Sequence, residues 1–238
     1  MKKLILSFVT FLSLGVFAQD TKVINDANAT VRNLSGSFAA ISVSSGIDLY
    51  LSQANEESVA VSASDQKHLD RLKTEVVNGV LKIYYDNKGV SWKSDNRKLK
   101  AYVSFKTLEK LNASAGSEVN VKGSINADKL DLDVSSGSEF NGSINAKELT
   151  ADVSSGASIN MSGKADKLKV EVSSGADFKG YDFVVDYCDA SASSGAAVHI
   201  TINKELNAKA SSGADIRYKG TALIRDIHVS GGGAVKKA

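Results

Sequence analysis

A Ser-Ser-Gly triplet, or a close variant of it, recurs along the second half of this chain at nearly constant spacing. Its glycines are Gly116, Gly137, Gly156, Gly175, Gly195, Gly213 and Gly232, with steps of 21, 19, 19, 20, 18 and 19 residues. A period of about 20 residues is typical of a solenoid, in which each repeat packs mainly against its two neighbours. The recurrence therefore restricts the chain to architectures built by stacking one small unit.

The residues around each triplet show the alternation of a β-strand. Apolar residues stand three, five and seven places before the glycine, as do Val134, Leu132 and Leu130, and polar or charged residues fill the places between them. Another apolar residue follows three places after the glycine, as does Phe140. A unit of about 19 residues with two or three strands leaves no room for a helix. We therefore predict an all-β fold: a right-handed parallel β-helix, the hand following the rule for parallel crossovers.

The triplet is interpreted as the corner of each coil. Glycine supplies at no steric cost the positive φ that a sharp corner requires. We expect the two serine hydroxyls to bond the turn backbone and their counterparts one coil away. A nucleophilic role is disfavoured, since the chain contains no Gly-x-Ser-x-Gly elbow. The absence of proline also fits, because parallel ladders use every backbone N–H.

Residues 19–106 are predicted to form an N-terminal β-rich segment, and residues 107–238 the β-helix repeats. Apolar alternation on both sides of Ser44-Ser45-Gly46 indicates two strands around the same kind of corner, and 58–62 indicates a third. Residues 65–72 have helical spacing, and Asn78-Gly79 between apolar runs is a strong hairpin signal. Another strand is expected over 100–105.

Residues 1–18 are predicted to be a secretory signal peptide. Lys2 and Lys3 precede an apolar run that ends at Phe17, and Ala18 is the small residue expected before the cleavage point. No later apolar run approaches the length of a membrane span. We therefore expect a secreted chain with no transmembrane segment after cleavage.

Charge and metal-ligating residues exclude several classes of function. Removing Lys2 and Lys3 would leave 29 − 2 = 27 basic residues against 27 acidic ones, which gives no electrostatic footprint for nucleic acid. Cys188 stands where sister coils have leucine, so we expect a buried apolar side chain. The histidines lack metal-ligand spacing on one element, and we predict neither a metal site nor a cofactor.

One group of candidate binding residues is acidic. Asp133, Asp152 and Glu171 each stand four residues before a corner glycine, so stacked coils would align them in one row. Like charges one coil apart, at about 5 Å, repel each other. The row is therefore either a solvated face or a site for a cation or a sugar.

A second group of candidates lies near the end of the N-terminal segment. Tyr84 and Trp92 accompany Lys93 and Arg97. Exposed aromatic rings stack on sugar faces, and basic neighbours bind carboxylates. The alternative is that Trp92 caps the core while the charges belong to a solvated loop.

The order of these features resembles a known family. A signal peptide is followed by FAAISVSSGIDLYLSQ, then by TEVVNGVLKIYYD, and then by repeated SSG corners with GSIN after two of them. Over about residues 30–235 this arrangement is similar to the auto-transporter adhesin head GIN-domain family. The resemblance implies a β-helical fold and an adhesin role without catalytic residues. It also implies secretion to the periplasm, the outer membrane or the cell surface of a Gram-negative bacterium.

We therefore expect a non-enzymatic envelope module that binds glycan or a surface protein through flat β-helix faces. One alternative is a β-helical polysaccharide lyase or hydrolase, since Asp133 and Asp152 would lie one coil apart, roughly the distance of a retaining carboxylate pair. Another is a structural spacer of the envelope. Because exposed end coils need caps, the expected state is a monomer or a weak end-to-end dimer.

Overall fold

The chain is almost entirely β-structure in a computed structural model that describes residues 26–89 and 97–238. Strands hold 65 % of these residues and helix 3 %. The predicted signal peptide, Trp92 and Lys93 lie outside the described residues. The elements are β1 (Thr30–Arg32), β2 (Ala40–Val43), β3 (Asp48–Gln53), β4 (Ser58–Ser62), α1 (Gln66–Arg71), β5 (Leu72–Val77), β6 (Val80–Tyr85), β7 (Lys100–Phe105), β8 (Lys110–Ala113), β9 (Glu118–Val134), β10 (Glu139–Val153), β11 (Ser158–Val172), β12 (Asp177–Ala192), β13 (Ala197–Ala210), β14 (Asp215–Lys219), β15 (Leu223–Val229) and β16 (Ala234–Lys237).

The long strands β9 to β13 stack in parallel, one coil on the next. Their inward residues pair in register, so that one buried column runs through Leu130, Leu149, Leu168, Cys188 and Leu206. The solenoid has about seven turns with coils of about 19 residues, which confirms the predicted parallel β-helix. Cys188 is 3 % exposed, as expected of an apolar core residue, and burial raises the pKa of its thiol.

Each long strand bends as it passes around the coil. In β10 the alternation of buried and outward residues breaks at Lys147 and Glu148, which are both exposed and mark a corner. A register shift against β9 after Asn141 marks another bend. We call the surface formed by residues 139–142 of β10 and their counterparts the front face. The surface formed by residues 149–153 and their counterparts is the back face.

The Ser-Ser-Gly corners are built by the backbone of two consecutive residues. Glycine is left-handed as predicted, but the second serine is too, with φ of 51–55° at Ser136, Ser155, Ser174, Ser194 and Ser212. The glycine N–H donates to the carbonyl oxygen of the second serine one coil further on, at 3.0–3.1 Å. Among the described residues, the hydroxyls of the two serines before each glycine make no bond between coils, so that expectation is wrong for them, whereas Ser138 Oγ, just after Gly137, accepts from the N–H of Ser117 at 3.2 Å. Peptide groups make the link, since the left-handed pair directs them along the stack.

The N-terminal strands join the same sheet. β2 pairs in parallel with β8, and β3 pairs in parallel with β9, around a corner at Ser45 and Gly46. A short helix and a hairpin occur where the sequence indicates them, the hairpin turning at Asn78 and Gly79, both with positive φ. Strands from 30 to 237 thus form one continuous sheet of 16 strands.

Antiparallel strands and α1 close the N-terminal end of the solenoid. β4 and then β1 extend the sheet beyond β7, and β5 extends it beyond β6. His68 of α1 is 1 % exposed, with its Nδ1 2.7 Å from the hydroxyl of Tyr85. Arg32 donates to the carbonyl of Leu69 at 3.0 Å, which ties β1 to the helix. The apolar core is therefore covered at this end.

Candidate functional site

The stacking brings three of the predicted site residues into one row on the back face. Asp133 is in register with Asp152, and Asp152 with Glu171. Lys169 lies at the edge of this row, with its Nζ 2.8 Å from a carboxylate oxygen of Glu171. These four residues form what we call the acidic row.

Carboxylates in the acidic row disfavour one another's charge. Partial burial raises the pKa of Asp152, and the carboxylates of Glu171 and Asp133 raise it further. Over 26–89 and 97–238, no cluster of histidine, cysteine and acidic side chains has the arrangement of a metal site. The acidic row is therefore a charged surface on which neighbouring carboxylates repel one another.

Replacing Asp152 by asparagine is expected to stabilise the protein at neutral pH. The native state holds the proton of Asp152 more tightly than the unfolded chain does, so ionisation costs stability as the pH rises through the raised pKa. Like charges on neighbouring strands cost a few tenths of a kcal/mol, and we expect Asp152→Asn to gain about 0.5 kcal/mol at pH 7. Urea denaturation of the wild type and the variant measures this gain.

The gain should vanish as the pH falls below 3.8, the ordinary value for aspartate. Asp128→Asn is the matched control, since Asp128 forms an ion pair with Lys147 at 2.8 Å and has no acidic partner in register. It should give no stabilisation at pH 7. An Asp152→Asn variant that is less stable than the wild type at pH 7 would show that the carboxylate has a favourable partner.

The remaining predicted site residues lie near the N-terminal cap. The guanidinium of Arg97 sits over the ring of Tyr85, 4.6 Å from its centroid, and donates to Asn87 Oδ1 at 3.2 Å. Tyr84 lies on the face of β6 opposite to that of the buried Tyr85, and it is in register with Lys73 on β5. Burial, followed by Glu75, raises the pKa of Tyr84. Arg97 thus packs on a ring whose hydroxyl contacts α1.

Sequence reasoning overlooked a row of three amides on the front face. Asn120, Asn141 and Asn160 are in register on β9, β10 and β11. Asn160 Nδ2 donates to Asn141 Oδ1 at 2.8 Å and to Glu139 Oε1 at 2.9 Å. Asn120 Nδ2 donates to Glu118 Oε1 at 3.0 Å. We call these three side chains the amide row, and the carboxylates beside them hold their orientation.

The amide row lines a groove of about 680 Å³. The groove lining includes Gly142, where an added side chain would lie 2.6 Å from Val121 Cγ2, so the side chain of Val121 fills the space that a larger residue would need. Tyr181 and His199 line the same groove with stacked rings, 5.0 Å between centroids and 12° between planes. Lys219 Nζ lies 4.1 Å from the centroid of Tyr181.

The chemical character of the front face changes along the solenoid axis. In the register of the amide row, the N-terminal coils carry Tyr50 and Tyr102 with stacked rings, 5.2 Å between centroids. The C-terminal coils carry basic or ionisable side chains at the same place, namely Lys179, His199 and Arg217. A row of carboxylates lies two residues before this position in three of the strands, from Asp48, Glu118 and Glu139. Burial, followed by the charge of Glu118, raises the pKa of Asp48.

This composition suits a ligand that is long and rich in hydroxyl groups. Amides both donate and accept hydrogen bonds, carboxylates accept them, and aromatic rings stack on apolar faces of a ligand. Because parallel strands lie about 4.8 Å apart, the outward side chains of successive coils follow one another at that interval along the groove. The front face therefore presents a linear array of binding groups.

Comparison with known proteins finds relatives of this fold. The family described as "Putative auto-transporter adhesin, head GIN domain" matches residues 37–222. The crystal structure of a putative adhesin from Bacteroides fragilis NCTC 9343 has a TM-score of 0.81 at 14 % identity, covering 90 % of this chain and 98 % of that one. The crystal structure of a putative adhesin from Parabacteroides distasonis ATCC 8503 has a TM-score of 0.69 at 21 % identity, covering 90 % of this chain and 98 % of that one.

A third solved structure, described as a putative lipid binding protein from Parabacteroides distasonis ATCC 8503, has a TM-score of 0.63 at 19 % identity, covering 90 % of this chain and 98 % of that one. At these identities the likeness shows the fold. A comparison with curated proteins gives no match. In the part of the chain that the structure describes, no helix has the length and apolar character needed to cross a membrane.

Proposed function

Because the chain belongs to the head GIN-domain family of auto-transporter adhesins, we propose that it is an adhesion module that binds an extended glycan along the front face. The observation that carries this proposal is the amide row, in which Asn120, Asn141 and Asn160 repeat in register beside ordered carboxylates. The module acts by binding rather than by catalysis.

The repeat of the amide row supports a polymer as the ligand. A glycan laid along the solenoid axis meets an equivalent amide at three successive coils, at an interval of about 4.8 Å. One pyranose of an extended β-1,4-linked chain advances by a similar length, so each sugar contacts one coil. His199, in register with the amide row, and Tyr181 line the C-terminal part of this path, where their stacked rings offer apolar contact to a sugar.

The proposal includes secretion to the envelope of a Gram-negative bacterium, at the periplasm or the cell surface. The predicted signal peptide over residues 1–18 supports export. The solved structures with the same fold include putative adhesins from Bacteroides fragilis and Parabacteroides distasonis, which supports an envelope role. An envelope glycan or a surface glycoprotein is the partner that we propose.

Substitution in the groove is expected to weaken glycan binding at least tenfold. The double variant Asn141→Ala with Tyr181→Ala removes one amide and one ring, each worth about 1 kcal/mol in a polar site. Isothermal titration with soluble β-1,4-linked oligosaccharides of cellulose, chitin and xylan measures the change. Thermal unfolding of the variant establishes that the fold is retained.

The matched control is Asp152→Asn on the back face, which should bind as the wild type does. Loss of binding in Asp152→Asn, with the double variant unaffected, would move the site to the acidic row. Release of reducing ends by the wild type, abolished in Asp133→Asn, would favour the β-helical enzyme instead. No binding to any polysaccharide would favour a protein partner or a structural spacer.

A further inference from the structure

The register of the amide row continues into the C-terminal coils with a different chemistry. Asn160 on β11 is in register with Lys179 on β12, and Lys179 with His199 on β13. Arg217 on β14 and Lys236 on β16 follow in the same register. We call Lys179, His199, Arg217 and Lys236 the basic row. The front face therefore changes from neutral amides to basic side chains within one coil, between β11 and β12.

The row of carboxylates two residues before this register becomes discontinuous in the same coils. The place is acidic on both β9 and β10. It is alanine on β13 and β16, at Ala197 and Ala234. Asp177 holds it on β12, and Asp215 holds it on β14, where its carboxylate pairs with the guanidinium of the basic row at 2.6 Å. The front face thus carries less negative charge in the coils where its basic side chains lie.

Two ammonium groups at this end of the groove have no carboxylate partner. Lys179 lines the groove, and Lys219 Nζ lies 4.1 Å from the ring centroid of Tyr181, which itself stacks with His199. Over 26–89 and 97–238, neither lysine forms an ion pair, not even with Asp182, the acidic side chain in the groove lining. The ring contact holds the Lys219 ammonium beside the groove. An ammonium group so placed suits an anionic oxygen of a ligand.

We propose that the glycan of the proposed function, on which this inference rests, carries an anionic group that binds to Lys179 and Lys219. A carboxylate and a sulfate share the required chemistry. The neutral sugars of the same chain lie on the amide row, one coil away. The carboxylates of Glu118 and Glu139 repel an anionic group there. The charged part of the chain is therefore directed to the C-terminal end of the groove.

Isothermal titration of the intact chain with matched neutral and charged oligosaccharides tests the anionic group. Xylo-oligosaccharides that carry one glucuronic acid are expected to bind about fivefold more tightly than the same chains without it, at about 0.05 M salt. The difference should disappear near 1 M salt, where the screening length falls to about 3 Å. Chito-oligosaccharides with and without a single sulfate distinguish a sulfate from a carboxylate.

The double variant Lys179→Gln with Lys219→Gln should remove the preference for the charged chains. Its affinity for the neutral chains should stay within about twofold of the wild type, because the amide row is intact. The matched control is Lys82→Gln with Lys209→Gln, which removes the same charge from exposed positions of the back face. This control should keep the full preference. Thermal unfolding of both variants establishes folding.

The outcomes separate this inference from the proposed function. Neutral chains that bind, with neither charged chain binding more tightly, would overturn the anionic group and leave the glycan site in place. No binding of any chain would overturn both. A preference that survives Lys179→Gln with Lys219→Gln, or that is lost equally in the back-face control, would also overturn the site. A preference for the sulfated chain alone, lost in Lys179→Gln with Lys219→Gln, would identify the anion as sulfate.

Discussion

Gly163→Ala is expected to destabilise the protein by more than about 3 kcal/mol, among the largest effects of any single substitution. Gly163 has a φ of +105°, and a side chain built there would lie 2.2 Å from the carbonyl oxygen of Ile144 in the preceding coil. This oxygen belongs to the strand backbone, so no flexible side chain can move away. The two coils would have to separate, or the ladder would have to shift. Guanidinium denaturation measures the loss.

Gly156→Ala is the matched control for this prediction. Gly156 also has a positive φ, +71°, but an added side chain there has nothing within 4 Å. Only the conformational penalty of the left-handed region applies, about 1 kcal/mol. Equal losses in the two variants would contradict close packing between coils at Gly163. At Gly220 an added side chain would likewise lie 2.2 Å from the carbonyl oxygen of Ile202, so Gly220→Ala should be costly as well.

The architecture was predictable because one local sequence pattern recurs several times. Alternation around a single triplet would predict only a hairpin or a corner. Repetition at 18 to 21 residues requires every copy to adopt the same conformation and to stack on the last. Alignment of Val134, Val153 and Val172 in one buried column follows from that spacing. The acidic row was predictable for the same reason.

The groove on the front face was harder to predict from the sequence. The asparagines of the amide row occupy the same outward place in three consecutive coils, a signal that was visible but carries no charge or catalytic motif. Tyr181 was not predictable in this way. It follows Gly180 in a segment of β12 where the register against β13 shifts, from Gly180 opposite Ile200 to Val184 opposite Thr201. Such irregularities depend on packing against the neighbouring coil, which a repeat pattern does not encode.

Deleting one whole coil should leave a solenoid that unfolds as one unit, whereas deleting half a coil should interrupt the stack at that point. Removal of residues 138–156 joins Gly137 to Ala157 and keeps a complete triplet corner. β9 would then pair with β11, which places Leu130 opposite Leu168 and Asp133 opposite Glu171. Since each coil contacts mainly its neighbours, the cost is that of one repeat. Removal of residues 138–147 instead leaves one coil with half its length, so the coils before and after it cannot stack on each other in register.

Thermal unfolding of these two deletions, followed by far-ultraviolet circular dichroism, tests the stacking of equivalent residues most directly. In-register coils predict a β-rich spectrum and a cooperative transition when residues 138–156 are removed. They predict a less stable protein without a single cooperative transition when residues 138–147 are removed. An unfolded whole-coil deletion, or a half-coil deletion that melts as cooperatively as the intact chain, would contradict this stacking.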